Sequence, residues 1–328
     1  MVAGAGLSTE GLLAAAENGS VRAIARLLSR IEAGGASAAE VAGAVLGRPR
    51  VAVIVGLTGP PGVGKSTLTA AMITQLRARG RRVAVLAVDP SSPFSGGALL
   101  GDRVRMGEHS TDSGVFIRSM SSRGELGGLS AAAPAAADLL SAIGFDDVLV
   151  ETVGVGQNEI AVLRLADTVV VALAPGMGDG IQAAKAGILE IADVLVVNKS
   201  DHEGAGRTVR DLKGMVALGR AGSGGPGSWR IPVLSTVASS GVGVAELLVV
   251  LGDHRQHLLD HGGSALRSQR RAQVAVQAVV LEHVQRALRS PAGQQELASV
   301  ADQVAAGRID HHNAAREVLD WLGSAQEG

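Results

Sequence analysis

VAVIVGLTGPPGVGKSTLT, residues Val51 to Thr69, decides the fold. Within it, Gly59-Pro60-Pro61-Gly62-Val63-Gly64-Lys65-Ser66 fits the phosphate-loop pattern G-x-x-x-x-G-K-[ST]. Val51 to Leu57 is short, apolar and rich in β-branched residues, as a buried strand requires. Beyond the glycines, Leu68, Met72 and Leu76 recur at helical spacing. A strand, a glycine turn and a helix start let backbone N–H groups converge on phosphate oxygens. Gly59, Pro61, Gly62, Val63, Gly64, Lys65, Ser66 and Thr67 are therefore the expected phosphate-binding set. Lys65 is expected to neutralise β/γ-phosphate charge and the Ser66 hydroxyl to ligate Mg²⁺.

Outward from this stretch, apolar runs at 51–57, 83–88, 115–118, 147–151, 168–174, 193–198 and 231–234 alternate with helical patterns. Such alternation predicts an α/β fold, a P-loop NTPase with a mostly parallel, doubly wound sheet. Three parts follow: a helical extension over 1–48, the P-loop domain over 49–252 and a helical region over 253–328. In the first part Val21, Ile24, Leu27, Leu28 and Ile31 form an apolar stripe. Arg22, Arg26 and Arg30 lie on another face, read as solvated. Ser37 to Glu40 has the spacing of a capping box opening a second short helix. In the last part, helices are expected over 265–289, 294–306 and 311–323, interrupted at Ser290 to Gly293 and at Gly307.

Composition removes several function classes. With 30 basic and 31 acidic residues, no global field calls for nucleic acid or an anionic membrane. Aromatics make up 2% with no Tyr, so platforms for stacking single-stranded bases are scarce. There is no Cys, hence no disulfide and no thiolate metal site, which suits a reducing cytoplasm. No apolar run reaches membrane-spanning length, and no basic segment precedes the weak apolar start, so neither a membrane span nor a signal peptide is expected. His311-His312 reads as a solvated pair.

Further constellations sit at strand ends, where open α/β sheets bind ligands. Asp89, ending the second run, either holds Mg²⁺ through water or caps the next turn. The polar, glycine-rich segment after it, 91–103, is where a nucleotide-sensing switch would lie. Asp102 within it is a candidate for Mg²⁺ or attacking-water contact, with a surface role as the alternative. Glu151-Thr152-Val153-Gly154 has the layout of a Walker B acid merged with a D-x-x-G switch, Glu replacing Asp. The acid would serve the metal shell and the Gly154 amide would sense the γ-phosphate. Asn198-Lys199-Ser200-Asp201 fits N-K-x-D. Guanine presents N1–H and N2–H₂ donors that Asp201 can accept, whereas adenine lacks both, so GTP/GDP is the expected ligand. Ser235-Thr236 suits a contact to guanine O6.

Four longer runs go beyond generic motifs: DPSSPFSGGALLGDRVRM (89–106), FIRSMSSRGELGGL (116–129), ETVGVGQNE (151–159) and PGMGDGIQAAKAGILEIAD (175–193). With these the chain resembles the MeaB/ArgK family, GTPases associated with methylmalonyl-CoA mutase, an adenosylcobalamin enzyme. The resemblance implies a chaperone that protects and reactivates the mutase, gates its cofactor loading and uses GTP with Mg²⁺ as a timer. It also implies a homodimer built through the C-terminal helices. By position, Lys65, Asp102 and Glu151 become the catalytic set, and Ser66, Asp89, Asp102 and Glu151 surround Mg²⁺. Gly178, Asp179 and Lys185 become the switch that relays nucleotide state to the partner. The partner would be methylmalonyl-CoA mutase or a related adenosylcobalamin-dependent acyl-CoA mutase. Gly180 departs from an expected acidic residue. SAAAPAAADLL (130–140) is more Ala-rich than the family's charged helix, with Pro134 expected to perturb its first turn. Competing readings are an ATPase or kinase linked to basic amino-acid transport, a nickel-type metallochaperone GTPase, and a binding module with a dead site.

Overall fold

The computed structural model describes residues 7–89, 109, 111–121, 132–152, 164–176, 191–219 and 228–324. Among them the chain runs α1 (Thr9–Glu17), α2 (Val21–Ala33), α3 (Gly35–Val45), β1 (Val53–Thr58) and α4 (Lys65–Ala78). Next come β2 (Val83–Asp89), β3 (Val115–Ser121), α5 (Ala132–Ala142), β4 (Asp147–Thr152), β5 (Thr168–Leu173) and β6 (Val194–Val197). α6 (Ala205–Gly219), β7 (Val233–Ser235), α7 (Val244–Asp260), α8 (Gly263–Arg289), α9 (Pro291–Ala305) and α10 (His311–Ser324) complete it. Each of the seven expected strands forms, with ends within two or three residues of the apolar runs.

The strands build one sheet in the order β3-β2-β4-β1-β5-β6-β7, and every pairing is parallel. Alternation along the strands feeds two cores. Ile54, Leu86, Val148, Val150 and Val171 face α5 and the N-terminal helices. Val53, Val55, Val85, Leu149 and Val170 face α4 and α7. Both faces are thus covered, as a parallel sheet demands. Order reverses beside β1, whose neighbours β4 and β5 feed opposite halves of the sheet, so a crevice opens past its carboxyl end.

The alanines of α5 have a packing reason. Ala132, Ala133, Ala136 and Ala137 are buried together with Leu12, Leu13, Ile24, Leu27 and Leu28 of the N-terminal helices. A charged helix could not be enclosed this way without unpaired charge. Pro134 falls in the first turn of α5, where its missing N–H removes no intrahelical bond, and the helix continues through it. Arg22 and Arg26 stand exposed, as expected. Arg30 is instead drawn onto the Thr9 hydroxyl and the Leu7 carbonyl, next to Glu40.

Two local expectations are corrected. The capping box at Ser37 does not form: α3 opens at Gly35, after Gly34 at φ 71°, with no side-chain cap. The left-handed glycine starts the helix early, so Ser37 lies inside it and Glu40 turns to Thr9. At 290–293 the interruption is shorter than expected. Ser290 is the N-cap of α9, its hydroxyl accepting from the Gly293 amide at 3.1 Å, and Pro291 fills the first helical position.

By contacts the chain divides into Met1–Val274 and Ala275–Gly328. The second unit has its own small core of Val300, Ala314, Val318 and Leu322, flanked by Val284, Leu288 and Trp321.

Candidate functional site

The glycine turn after β1 is fixed by close approach. Gly59 has φ 143°, and a Cβ there would sit 2.0 Å from the Ala172 carbonyl oxygen of β5. Gly64 has φ 89° and is the N-cap of α4, contributing no side chain to the helix's first amides. The first turn of a helix presents backbone N–H groups, and the helix dipole there favours an anion. Gly62 adopts φ 79°, completing a turn with three left-handed glycines. Pro61 is exposed on the turn and Val63 is buried beneath it. Thr67, in the first turn of α4, is exposed.

Lys65 opens α4 and is buried, its ammonium donating to the Gly59 carbonyl at 2.7 Å and the Pro60 carbonyl at 3.1 Å. The lysine is thereby folded back over the loop that it would serve. Ser66 donates its hydroxyl to Glu151 Oε1 at 2.7 Å. Glu151 is 4% exposed at the carboxyl end of β4, in register with Leu57 of β1. Its second oxygen accepts from the Thr69 hydroxyl at 3.0 Å. Sequence reasoning missed Thr69; one helical turn separates it from Ser66, and that spacing was the available signal. Beneath, Thr152 donates to Thr58 at 3.0 Å, tying the ends of β4 and β1.

The N-K-x-D segment docks directly on the phosphate loop. Asn198 is 2% exposed and donates through Nδ2 to the Val63 carbonyl at 2.9 Å. Its Oδ1 accepts from the Thr236 hydroxyl at 3.1 Å and the Ala238 amide at 3.0 Å. Lys199 donates to the Gly62 carbonyl at 2.8 Å and takes φ 55°, the one positive φ outside glycine among the described residues. Asp201 stands exposed on the turn that follows, closed by the His202 amide bonding to the Lys199 carbonyl at 3.0 Å. Thr236 is turned inward to hold Asn198 while Ser235 is exposed, its carbonyl packed against Gly243.

The structure thus gathers Gly59, Gly62, Val63, Lys65, Ser66, Glu151, Asn198, Lys199 and Thr236 around the phosphate loop through hydrogen bonds, with Gly64 lying close against the Asn198 amide. Asp89 is placed only as the last residue of β2, two strands from β1. Asp102, Gly154, Gly178, Asp179, Gly180 and Lys185 lie outside the described residues. Among the described residues no group of three metal-ligating side chains assembles, and no helix is long and apolar enough to cross a membrane. His311 and His312 are both exposed.

A glycine phosphate loop at the switch point of a parallel sheet, hooked to an N-K-x-D turn, defines the class as a P-loop GTPase. A family described as methylmalonyl Co-A mutase-associated GTPase MeaB matches residues 22–292, and the chain belongs to it. A protein of Pyrococcus horikoshii that carries a GTPase name is 42% identical over 306 residues, 93% of this chain and 96% of that one. The methylmalonic aciduria type A homolog, mitochondrial, of Mus musculus is 37% identical over 272 residues, 81% of this chain and 64% of that protein. The crystal structure of a LAO/AO transport system kinase shares the fold, with a TM-score of 0.66 and 22% identity over 98% of this chain and 99% of that one.

Proposed function

We propose that this chain is a Mg²⁺-dependent, GTP-hydrolysing chaperone of an adenosylcobalamin-dependent methylmalonyl-CoA mutase, protecting it and gating its cofactor loading. The observation that carries the nucleotide reading is the pair of bonds from Asn198 to Val63 and from Lys199 to Gly62. They fasten the purine-reading turn to the phosphate loop, so one mononucleotide can satisfy both. The mutase reading rests on the family's description and on a relative named for methylmalonic aciduria.

In this reading the amides of 62–67 receive the phosphates, and Lys65 exchanges its two carbonyl partners for β/γ-phosphate oxygens. Asp201 accepts from guanine N1–H and N2–H₂, and the Ser235-Thr236 segment lies beside O6. Ser66 Oγ and the Glu151 carboxylate are hard oxygen donors, already adjacent, and fit Mg²⁺ directly and through water. Bound there, Mg²⁺ would neutralise charge on the β- and γ-oxygens. Asp89 and Asp102 complete the metal surroundings, Asp102 also meeting the attacking water. The Gly154 amide senses the γ-phosphate. Gly178, Asp179 and Lys185 relay nucleotide state to the mutase. The helices of 253–328 form the homodimer. On α8 the side chains of Val276, Val279 and Val280 are 63%, 54% and 43% exposed in the order Val276, Val280, Val279, an apolar surface that a second copy would cover.

Two measurements test this. Titration with GDP and ADP in the presence of Mg²⁺ is expected to show selective binding of the guanine nucleotide; preference for adenine would overturn the reading. Capture from extract with a non-hydrolysable GTP analogue is expected to retain an acyl-CoA mutase. Failure to bind purified methylmalonyl-CoA mutase or its relatives would remove the chaperone half while leaving the GTPase half.

A further inference from the structure

We propose a second ligand site, at the pole of the sheet opposite the phosphate loop, that takes a small organic monoanion with an apolar body. A cavity of about 170 Å³ lies under α4 and α7 where β1 and β4 begin. Its floor is apolar: Val55, Leu149, Met72, Leu76, Leu248 and Leu251. Its polar lining consists of Arg79, Arg81, Arg255 and Asp147. Three guanidiniums against one lining carboxylate leave an excess of positive charge, which Asp146, beside Arg81 and Asp147, reduces without cancelling.

These arginines are not equivalent. Arg81 grips Asp147 through two bonds, and so the one carboxylate is already neutralised. Burial, and more weakly the neighbouring Asp146 carboxylate, push the Asp147 carboxyl up, while Arg81, and most weakly Arg255, draw it back down. Arg79 and Arg255 make no side-chain hydrogen bond or ion pair among the described residues. Two uncommitted guanidiniums beside a greasy floor call for a carboxylate on an apolar body. Bare phosphate would leave the floor uncovered, and a neutral hydrocarbon would leave the arginines unused. In size the cavity slightly exceeds the roughly 150 Å³ that accommodates benzene, so an aryl or branched short-chain carboxylate fits.

The helix α7 supports the same inference. Leu248, Leu251, Gly252 and Arg255 follow i, i+3, i+4, i+7 spacing, so one helix face lines the cavity. Gly252 sits mid-face, and a Cβ there would meet no atom within 4 Å. A glycine inside a helix weakens it relative to alanine. Here its absent side chain leaves space facing the cavity.

The test uses the full chain with phenylacetate as probe, followed by saturation-transfer NMR and a titrated Kd, without nucleotide. Phenylacetate is expected to bind, and phenylacetamide, its neutral counterpart, to bind about tenfold more weakly. The exposed double variant Arg79→Gln/Arg255→Gln should weaken phenylacetate about tenfold with unchanged thermal unfolding. Gly252→Phe should abolish binding by occupying the cavity. Equal affinity for acid and amide, an unchanged Kd in the double variant, or no transfer at about 10 mM probe overturns the site. So does displacement by inorganic phosphate at matching affinity, which would reduce it to bare anion attraction. Because no nucleotide enters the assay, these outcomes are independent of GTP binding.

Discussion

The two poles of the sheet are held by different chemistry. At the amino ends of β4, β5 and β6, three carboxylates each meet an arginine: Asp147 with Arg81, Asp167 with Arg271, and Asp193 with Arg267. Asp167 also accepts from the Ile54 amide and Asp193 from the Val169 amide, both at under 3 Å (2.9 and 2.8 Å), so the acids fasten neighbouring strands. At the carboxyl ends the described bonds are of another kind. Lys65 and Lys199 rest on backbone carbonyls, and Glu151 is met by two hydroxyls. Arg81 and Arg267 each make two hydrogen bonds to their carboxylate and Arg271 makes one, and such charge-to-charge pairs resist separation. Lys65, resting on two neutral carbonyls, is placed to give these up for a phosphate, while Lys199 stays on Gly62. One pole is clamped and the other holds its charges ready for exchange.

Experiments can break or sharpen that contrast. The largest effect is expected from Asp201→Ala, which should collapse guanine-over-adenine preference by about three orders of magnitude, read from Kd values for GDP and ADP. Thermal unfolding of the apo protein should stay unchanged, since Asp201 is exposed. Lys65→Ala should cost about 3–4 kcal/mol of nucleotide affinity by calorimetry.

At the clamped pole the pattern should reverse. Arg267→Ala uncovers Asp193, whose side chain is 12% exposed, and should cost about 3 kcal/mol of stability with little change in GDP affinity. A nucleotide-affinity loss as large as that of Lys65→Ala would mean that the poles are not separable.

His254 adds a pH signature. It is 1% exposed, bonded to Thr168 at 2.8 Å, and burial lowers its pKa to about 4 against the opposing pull of Asp193. Between about pH 6.5 and 4 the unfolded imidazole is protonated and the folded one is not. The unfolded chain therefore binds more protons, and stability falls as pH drops through that window, by about 2–3 kcal/mol. His254→Phe should flatten this part of the profile, measured by chemical denaturation at about pH 7 and pH 4.5. The smallest effect is expected from Ser290→Ala, about 1 kcal/mol from loss of the α9 cap, with the change in hydrogen exchange concentrated in the second unit.

What could be read in advance tracks how local each signal is. The strands announced themselves because a sheet covered on both faces needs continuous apolar runs. The phosphate loop and N-K-x-D turn were legible because their chemistry requires fixed short spacing. The hook between them was not, since Asn198 and Val63 lie 135 residues apart. The arginine clamps were silent for the same reason: Arg81 reaches Asp147 across 66 residues and Arg271 reaches Asp167 across 104. Ser37 misled because a capping box is a sequence pattern, whereas the left-handed Gly34 set where α3 begins. The Ala-rich 130–140 stretch looked like a departure and has a steric reason, enclosure of α5 against α2 and α3.

The bonds from Asn198 and Lys199 to the phosphate loop turn two recognition elements into a caliper with a fixed gap. That spacing is set before any nucleotide arrives, because Val63, Thr236 and Ala238 all hold Asn198. On the proposed reading, triphosphate would then be told from diphosphate beyond that caliper, where Asp89 and Thr152 conclude β2 and β4.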